Sequence, residues 1–453
     1  MKALKSTTQP FLNDNHANTR TSAQATSKLS SSFFIKLGIN IGVALEYYDF
    51  MIYGLLMPFI MPLFFQNNDP LISTAKAFSV FALGYLARPL GGILFGQLAD
   101  RKGRRNAFTG AMLLMGFSTL FIGLLPTHLL LNTPYSALPA LLLIGCRLAQ
   151  GLSFGAELPG AITITSENND AQKRGLSCGF VISSTCVGAT CATGILALLT
   201  YTLSTADISN WGWRIPFLLG GTLAFISWYL RKNMNETLAF FEIQSNPEKR
   251  KAWTPIYKLI THYPLSILLG IGLMLFPAAM VMTNIYFASY LISAYGFEAT
   301  SVYSGMTLGL IGAAIFVPLF GWISDHLGIK TIFICTCAGF SIACQHIFSL
   351  LDTHTQWGLF SFLLLWQVFL CASTACVLPW LTQLFPTEVR FTGTSLCYNI
   401  GYVICAFLPN VYTFLNVIKS NPRIISTILC GIALLSLISA LMSKHTNEHA
   451  ISA

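Results

Sequence analysis

The sequence predicts an all-α membrane protein of twelve transmembrane helices arranged as two pseudo-symmetric six-helix bundles. Three observations predict it. Hydrophobic residues fill 54% of the 453 positions and charged residues only 9%, so apolar runs dominate the length and a soluble domain is excluded. The chain divides into twelve mostly apolar stretches of about 20 residues or more, the length that crosses a bilayer as a helix. A loop motif also recurs at an offset of 225 residues, from Gly96 to Gly321, close to half the chain.

The stretches run over 36–65, 73–98, 107–126, 136–165, 175–204, 213–231, 264–294, 300–322, 331–351, 357–385, 393–414 and 423–443. Ahead of them, residues 1–32 are rich in Ser, Thr, Asn and Gln with no apolar core, which reads as a disordered cytoplasmic tail rather than a signal peptide. Residues 33–231 form the first bundle, 232–263 a basic cytoplasmic linker, 264–443 the second bundle, and 444–453 a second tail. Net charge is +9, but the basic residues sort by side of the membrane and do not point to nucleic acid. Of the 26 Lys and Arg, all but six fall on the side of the N-terminus, in the tails and the even-numbered connections. The exceptions are Lys76, Arg214, Lys419 and Arg423 on the other side, with Arg88 and Arg147 inside spans. The positive-inside rule therefore places both termini in the cytoplasm. The twelve cysteines lie within spans or at their ends without paired ligand spacing, so they read as packing residues, and no metal or cofactor is expected.

The two halves repeat. Gly96-Gln-Leu-Ala-Asp100-Arg101-Lys-Gly103-Arg104-Arg105 follows the second span, and Gly321-Trp-Ile-Ser-Asp325-His-Leu-Gly328-Ile-Lys330 follows the eighth. A second pair follows the fourth and tenth spans: Glu167 with Arg174 and Gly175, and Glu388 with Arg390 and Gly393. Such repeats place a substrate site near the midplane between the bundles.

These residues resemble the major facilitator superfamily, whose signature has the form of the 96–105 motif, with Arg147-Leu-Ala-Gln150-Gly151 similar to its second motif. Leu45-Glu46-Tyr47-Tyr48-Asp49-Phe50, Leu86-Ala-Arg88-Pro89-Leu-Gly91-Gly92, Gln150-Gly151-Leu-Ser-Phe-Gly155-Ala-Glu157, Trp213-Arg214-Ile-Pro216-Phe217 and Phe385-Pro386-Thr-Glu-Val-Arg390 narrow the resemblance to the metabolite:proton symporter family. That resemblance implies a carrier of the proline/betaine, α-ketoglutarate, citrate or shikimate kind in the bacterial inner membrane. The chain stops about ten residues after its last span, without the coiled-coil extension of the osmosensing members, and the fifth span lacks the Gly-Pro pair of drug antiporters in the superfamily.

Charge inside the spans marks the candidate site. A charged carboxylate at the bilayer centre costs about 2.5–3.5 kcal/mol on insertion scales, so such groups are turned inward and paired. The first span carries Glu46 and Asp49 on a face with Gly38, Gly42 and Tyr53. The second carries Arg88 in a stripe with Gly84, Gly92 and Gly96, small residues that admit a neighbouring helix. At about 1.5 Å per residue Arg88 lies about 18 Å from Asp100, near the midplane and level with Glu46, which makes it the expected partner of the acids. The fourth span adds Arg147, Gln150, Phe154 and Glu157 on one stripe. Three carboxylates face two arginines, so one acid is expected to hold a proton at neutral pH. Glu46 or Asp49 taking up a proton and releasing Arg88 to a substrate carboxylate is one assignment; Glu157 with Arg147 carrying the proton, while the first span binds substrate, is the other. The alternative to both is architectural pairing.

At the cytoplasmic side, Asp100 is expected to cap a helix of the opposite half, with Arg101 beside it and Arg104 paired to an acid such as Glu167. Asp325, followed by Ile329-Lys330 instead of two arginines, should make a weaker copy. Possible cavity-lining residues are Tyr47, Tyr53, Gln150, Asn284, Tyr286, Trp366, Gln367, Tyr398 and Asn399; some of the aromatics, with Tyr48 and Phe50, are candidates for a cation cage, against core packing as the default. The reading is a proton-coupled symporter importing a small carboxylate-bearing metabolite, working as a monomer surrounded by lipid. An exporter of drugs or siderophores on the same fold is the alternative, and a non-transporting sensor a more distant one. No nucleophile–base set, nucleotide loop or metal cluster points to an enzyme.

Overall fold

Helix after helix fills the described residues, with no strand among them, as a chain of apolar stretches in lipid requires. A computed structural model of the chain describes residues 40–65, 70–102, 104–127, 137–155, 157–167, 171–231, 255–386, 389–419 and 423–443. Both tails and residues 232–254 of the linker fall outside them, as does Glu388. Among the described residues nine helices are long and apolar enough to cross a membrane, and two shorter apolar ones, Gly110–Leu124 and Arg214–Phe225, coincide with the third and sixth expected spans. The first expected span is present as an interrupted helix.

In chain order the helices are α1 (40–55), α2 (Met57–Phe64), α3 (Pro70–Lys102), α4 (Arg104–Leu124), α5 (Leu138–Phe154), α6 (Glu157–Glu167), α7 (Arg174–Thr202), α8 (Arg214–Arg231), α9 (Pro255–His262), α10 (Pro264–Ser293), α11 (Ala299–Leu327), α12 (Ile329–Ser349), α13 (Gln356–Gln383), α14 (Arg390–Cys405), α15 (Leu408–Lys419) and α16 (Ile424–Met442). Three expected spans are each split in two, at α1/α2, α5/α6 and α14/α15. A proline stands within the first three residues of every second segment, as Pro58, Pro159 and Pro409. Proline has no N–H for the carbonyl four residues back, so the ladder opens there. The expected linker 232–263 contains a helix, α9, whose Leu259 is buried while Tyr257 and Ile260 are exposed.

Two seams join the halves. Along one, α7 packs on α11; along the other, α3 packs on α14 and α15. A twofold exchange of the halves converts the fifth and eighth spans into the eleventh and second, so the seams are one contact made twice. Small residues set the first: a Cβ on Gly175 would meet Gly321, and a Cβ on Gly179 would meet Pro318. The glycine stripe of α3 meets α5, the fourth span. There Gly151 lies on the backbone of Gly84, and Gly155 on that of Arg88, at distances that admit no Cβ.

Carbonyls released by the prolines supply cross-half contacts. Asn399 Nδ2 of α14 donates to Gly155 O at 2.8 Å, the acceptor that Pro159 leaves without a donor. Ser183 Oγ of α7 donates to Ala314 O at 2.6 Å, four residues before Pro318 in α11. At the α1/α2 break, where Phe59 N donates to Leu56 O and so leaves Leu55 O free, Tyr303 of α11 donates from its hydroxyl to Leu55 O.

Candidate functional site

Between the seams lies a cavity lined from both halves. Tyr47 and Met51 of α1, Leu158 of α6, and Thr185 and Cys186 of α7 form one wall. Met274 and Asn284 of α10, Leu310 of α11, Gln367, Cys371 and Thr374 of α13, and Tyr402 of α14 form the other. No charged side chain lines it among the described residues. Its polar floor is an amide pair, Gln367 Nε2 donating to Asn284 Oδ1 at 3.2 Å, which leaves Gln367 Oε1 without a hydrogen-bond partner.

Contacts between the halves bridge both ends. At the end holding the 96–105 motif, Asp325 accepts from the backbone N–H groups of Gly175 and Leu176 at 2.7 and 2.9 Å. The carboxylate thereby caps the N-terminus of α7, where unsatisfied amides and the helix dipole favour an anion. Ser166 and Thr382 bond at 2.9 Å nearby. At the far end, beside the Tyr303 contact, Asn410 Nδ2 donates to Ser79 Oγ at 2.7 Å. Lys330 turns away and donates to Ser443 O at 2.8 Å, so the cap of the second copy rests on its aspartate alone. The contacts of Gly96 and the side chains of Asp100, Arg101, Arg104, Glu157 and Glu167 lie outside what the structure describes, although all six positions fall within helices. Arg174 Nε donates to Ser166 O at 3.2 Å, and Arg390 Nε to Phe385 O at 3.3 Å.

Arg88 stands behind the cavity wall. It is 1% exposed, and its guanidinium carbon lies 3.7 Å from the ring centroid of Phe154, 3.8 Å from Tyr85, 4.4 Å from Phe50 and 5.5 Å from Tyr402. No carboxylate of the described residues hydrogen-bonds to its nitrogens. Ring faces line the guanidinium from α1, α3, α5 and α14, and Phe50 is the α1 residue turned toward α3, whereas Asp49 faces α4 and α8. Cation–π attraction is stronger when the cation is desolvated, as here. Of the aromatics expected as a cation cage, Phe50 and Tyr53 lie against the protein's own guanidinium groups.

Arg147, fully buried, rests 4.4 Å from the Tyr53 ring, 5.1 Å from Phe50 and 5.2 Å from Phe81. Its Nη1 donates to Gln150 Oε1 at 2.8 Å, and Gln150 Nε2 donates to Thr119 Oγ1 at 2.7 Å. Thr119 is in turn the side-chain hydrogen-bond partner of Asp49. The donors run one way, from a cation on α5 through α4 to a carboxylate on α1. Asp49, 2% exposed, lies against the bare backbone of Gly220 in α8, where no Cβ fits. It faces α4 and α8, not the cavity; Glu46, one turn earlier, is 3% exposed.

Three of the expected lining residues line the cavity: Tyr47, Asn284 and Gln367. Gln150 belongs to the Arg147 chain and Tyr53 supports that arginine. Tyr286 packs on Phe78, Tyr290 and Tyr412, and Trp366 sits in an aromatic core with Phe287, Phe340 and Phe362. Tyr398 reaches Tyr47 at 3.5 Å between hydroxyls, behind Tyr402, and Asn399 ties α14 to Gly155. The residues not anticipated are Thr185, Thr374, Tyr402 and Thr119. Tyr402, one turn after Tyr398, and Thr374, two turns after Gln367, lie on helical stripes already marked; nothing in the sequence distinguishes Thr119. The Trp213-Arg214-Ile-Pro216-Phe217 segment is also explained. Trp213 is buried against Phe64, Arg214 Nη2 donates to Leu125 O at 2.9 Å, and Pro216 O accepts from the Tyr48 hydroxyl at 2.9 Å, pinning α8 beside Asp49.

Comparison with known proteins agrees with this architecture. The "Inner membrane metabolite transport protein YhjE" of Escherichia coli (strain K12) is 29% identical over 427 residues, covering 91% of this chain and 94% of that protein. The proline/betaine transporter of the same organism is 28% identical over 420 residues, with 90% and 82% covered. A citrate-proton symporter of Salmonella typhi is 30% identical over 435 residues, with 93% and 96% covered. Among solved structures, a partially occluded inward-open conformation of the xylose transporter XylE from E. coli superposes with a TM-score of 0.70 at 16% identity, covering 91% of this chain and 97% of that one. It shows the fold. Residues 39–409 match the Major Facilitator Superfamily; the chain is a multi-pass membrane protein that belongs to that superfamily, among its metabolite transporters.

Proposed function

We propose that the chain is a proton-coupled symporter of the bacterial inner membrane, with both termini cytoplasmic, importing a small metabolite that carries one carboxylate. The observation that carries this reading is Arg88. It is a buried guanidinium set among ring faces, one ring, Tyr402, from a cavity lined from both halves. A desolvated arginine favours a carboxylate, which it takes in a bidentate grip. The walls are otherwise uncharged and carry the free Gln367 Oε1, suited to an N–H or O–H of the solute. One fixed cation suits a zwitterion or monocarboxylate better than a tricarboxylate, whose further charges would be buried without partners.

Proton coupling is assigned to Asp49. It is buried, and joined to Arg147 through Gln150 and Thr119. In this reading a proton from the outside neutralises Asp49, frees Arg147 from its electrostatic partner, and is released to the cytoplasm after the inward opening. The arrangement favours Asp49 with Arg147 over a direct link between Asp49 and Arg88. The name of the proline/betaine relative supports the substrate class, and that of the citrate-proton symporter supports the coupling. Exposed apolar side chains such as Leu90, Phe121, Ile315 and Leu435 fit a monomer surrounded by lipid.

Uptake into proteoliposomes with an inward proton gradient tests the reading, using proline, glycine betaine, shikimate, α-ketoglutarate and citrate. Protonophore-sensitive accumulation of a single-carboxylate solute, with citrate excluded, is expected. Gradient-driven release of preloaded solute, without accumulation, would establish the exporter instead.

A further inference from the structure

We propose that Thr119 and Gln150 are positioning residues that transmit the protonation state of Asp49 to Arg147. The inference rests on the reading of Asp49 as the proton site and extends it to two residues that bind neither proton nor solute. Asp49 and Arg147 do not touch. The link between them is a single file of hydrogen bonds, Arg147 Nη1 to Gln150 Oε1 at 2.8 Å and Gln150 Nε2 to Thr119 Oγ1 at 2.7 Å, completed by Thr119 at Asp49. A threonine hydroxyl has one hydrogen. With one lone pair taken by the Gln150 amide, that hydrogen points to the carboxylate while Asp49 is ionised, and every dipole in the file is aligned from cation to anion.

When a proton binds, one O–H bond forms on Asp49 and the carboxylate charge disappears. The aligned file then ends on a neutral acid, and Arg147 loses the anion that opposed its charge. Its other nitrogens, Nε and Nη2, have no hydrogen-bond partner among the described residues and lie 3.6 and 3.4 Å from where a Cβ of Gly84 would stand. The guanidinium therefore touches α3 where α3 and α5 are closest, one turn of helix before Arg88. Protonation on the α4 and α8 side of α1 thus reaches the cavity side through α5 without a direct ion pair.

The groups facing Asp49 from each neighbouring element are few. On its own helix Tyr48 stands beside it, with Cys191 of α7 near that tyrosine. Glu46 lies one turn back. Among the described residues Thr119 comes from α4, Arg147 by way of Gln150 from α5, and the backbone of Gly220 from α8.

Thr119→Val removes the hydroxyl at nearly constant volume, Thr119→Ser retains it, and Gln150→Leu cuts the file one link earlier. Each variant, after its folded state has been checked by size-exclusion chromatography, is assayed in proteoliposomes for proton-driven accumulation across external pH and for solute counterflow without a gradient. Thr119→Val is expected to lower accumulation about tenfold and move the midpoint of the pH profile up by about one to two units, the equivalent of one hydrogen bond to a charged group. Counterflow should persist, Thr119→Ser should restore the profile, and Gln150→Leu should repeat the Val effect. If Thr119→Val is poorly folded, Gln150→Leu against wild type makes the same comparison. A wild-type profile in Thr119→Val or Gln150→Leu, or no rescue by Ser, overturns the inference and leaves the symporter reading standing. Absence of proton dependence in the wild type overturns both.

Discussion

Asn399 of one half donates a hydrogen bond to the carbonyl of Gly155 in the other at 2.8 Å. That carbonyl is available because Pro159, four residues on, has no N–H to offer it. A helix break that would be a defect in isolation becomes an acceptor for the opposite bundle. Ser183 and Ala314 repeat the arrangement ahead of Pro318. Gly155 O also accepts from Ser395 Oγ at 3.3 Å, so the break at Gly155 is satisfied from the opposite half.

Asn399→Leu should leave the buried Gly155 carbonyl with only Ser395 Oγ, at 3.3 Å. The expected cost is about 1–3 kcal/mol. Thermal unfolding in detergent measures it; an unchanged midpoint would mean that water replaces the amide without loss.

Two glycines on α5 give a paired test. A Cβ on Gly151 would collide with the backbone of Gly84, whereas a Cβ on Gly145 meets nothing within 4 Å. Gly151→Ala should force α3 and α5 apart and cost about 1–3 kcal/mol or more. Gly145→Ala should be neutral or stabilising by about 0.5–1 kcal/mol. Equal effects on yield and melting in the two variants would contradict the close packing of α3 on α5 at Gly84 and Gly151.

Asp325→Asn keeps an acceptor for the Gly175 and Leu176 amides but removes the anion from the N-terminus of α7. About 0.3–1 kcal/mol of the closed state at this end should be lost, shifting the population two- to fivefold toward opening. Spin-label distances between the start of α7 and the end of α11 would report it, and a distance distribution identical to wild type would argue against the cap as a latch.

Arg88→Lys preserves charge but not the planar fork. Substrate uptake should fall at least tenfold, with the loss mainly in apparent affinity, and Arg88→Ala should abolish it. Uptake kinetics with whichever solute of the proteoliposome panel accumulates separate the two; full affinity in Arg88→Lys would move the carboxylate site elsewhere.

Much of this was legible in the sequence because the constraint was local. Apolar length marked the spans, and the glycine stripe at Gly84 and Gly92 marked the close helix contact, since both depend only on residues along one helix. The ring faces around Arg88 were not legible. Residue spacing placed Glu46 and Asp49 on one face, but the rotation of α1 about its axis decides whether Asp49 or Phe50 meets Arg88, and that rotation is set by packing with α4 and α8. Thr119 carries no signal for the same reason. A lone threonine in an apolar span gains meaning only once Gln150 and Asp49 converge on it from two other helices.

The most direct test of the account is Asp49→Asn, which holds the site in its neutral form. Proton-driven accumulation should be lost while counterflow continues, because the empty and loaded carriers can still exchange without a titrating group. Accumulation equal to wild type under the same gradient would contradict the assignment of proton coupling to Asp49.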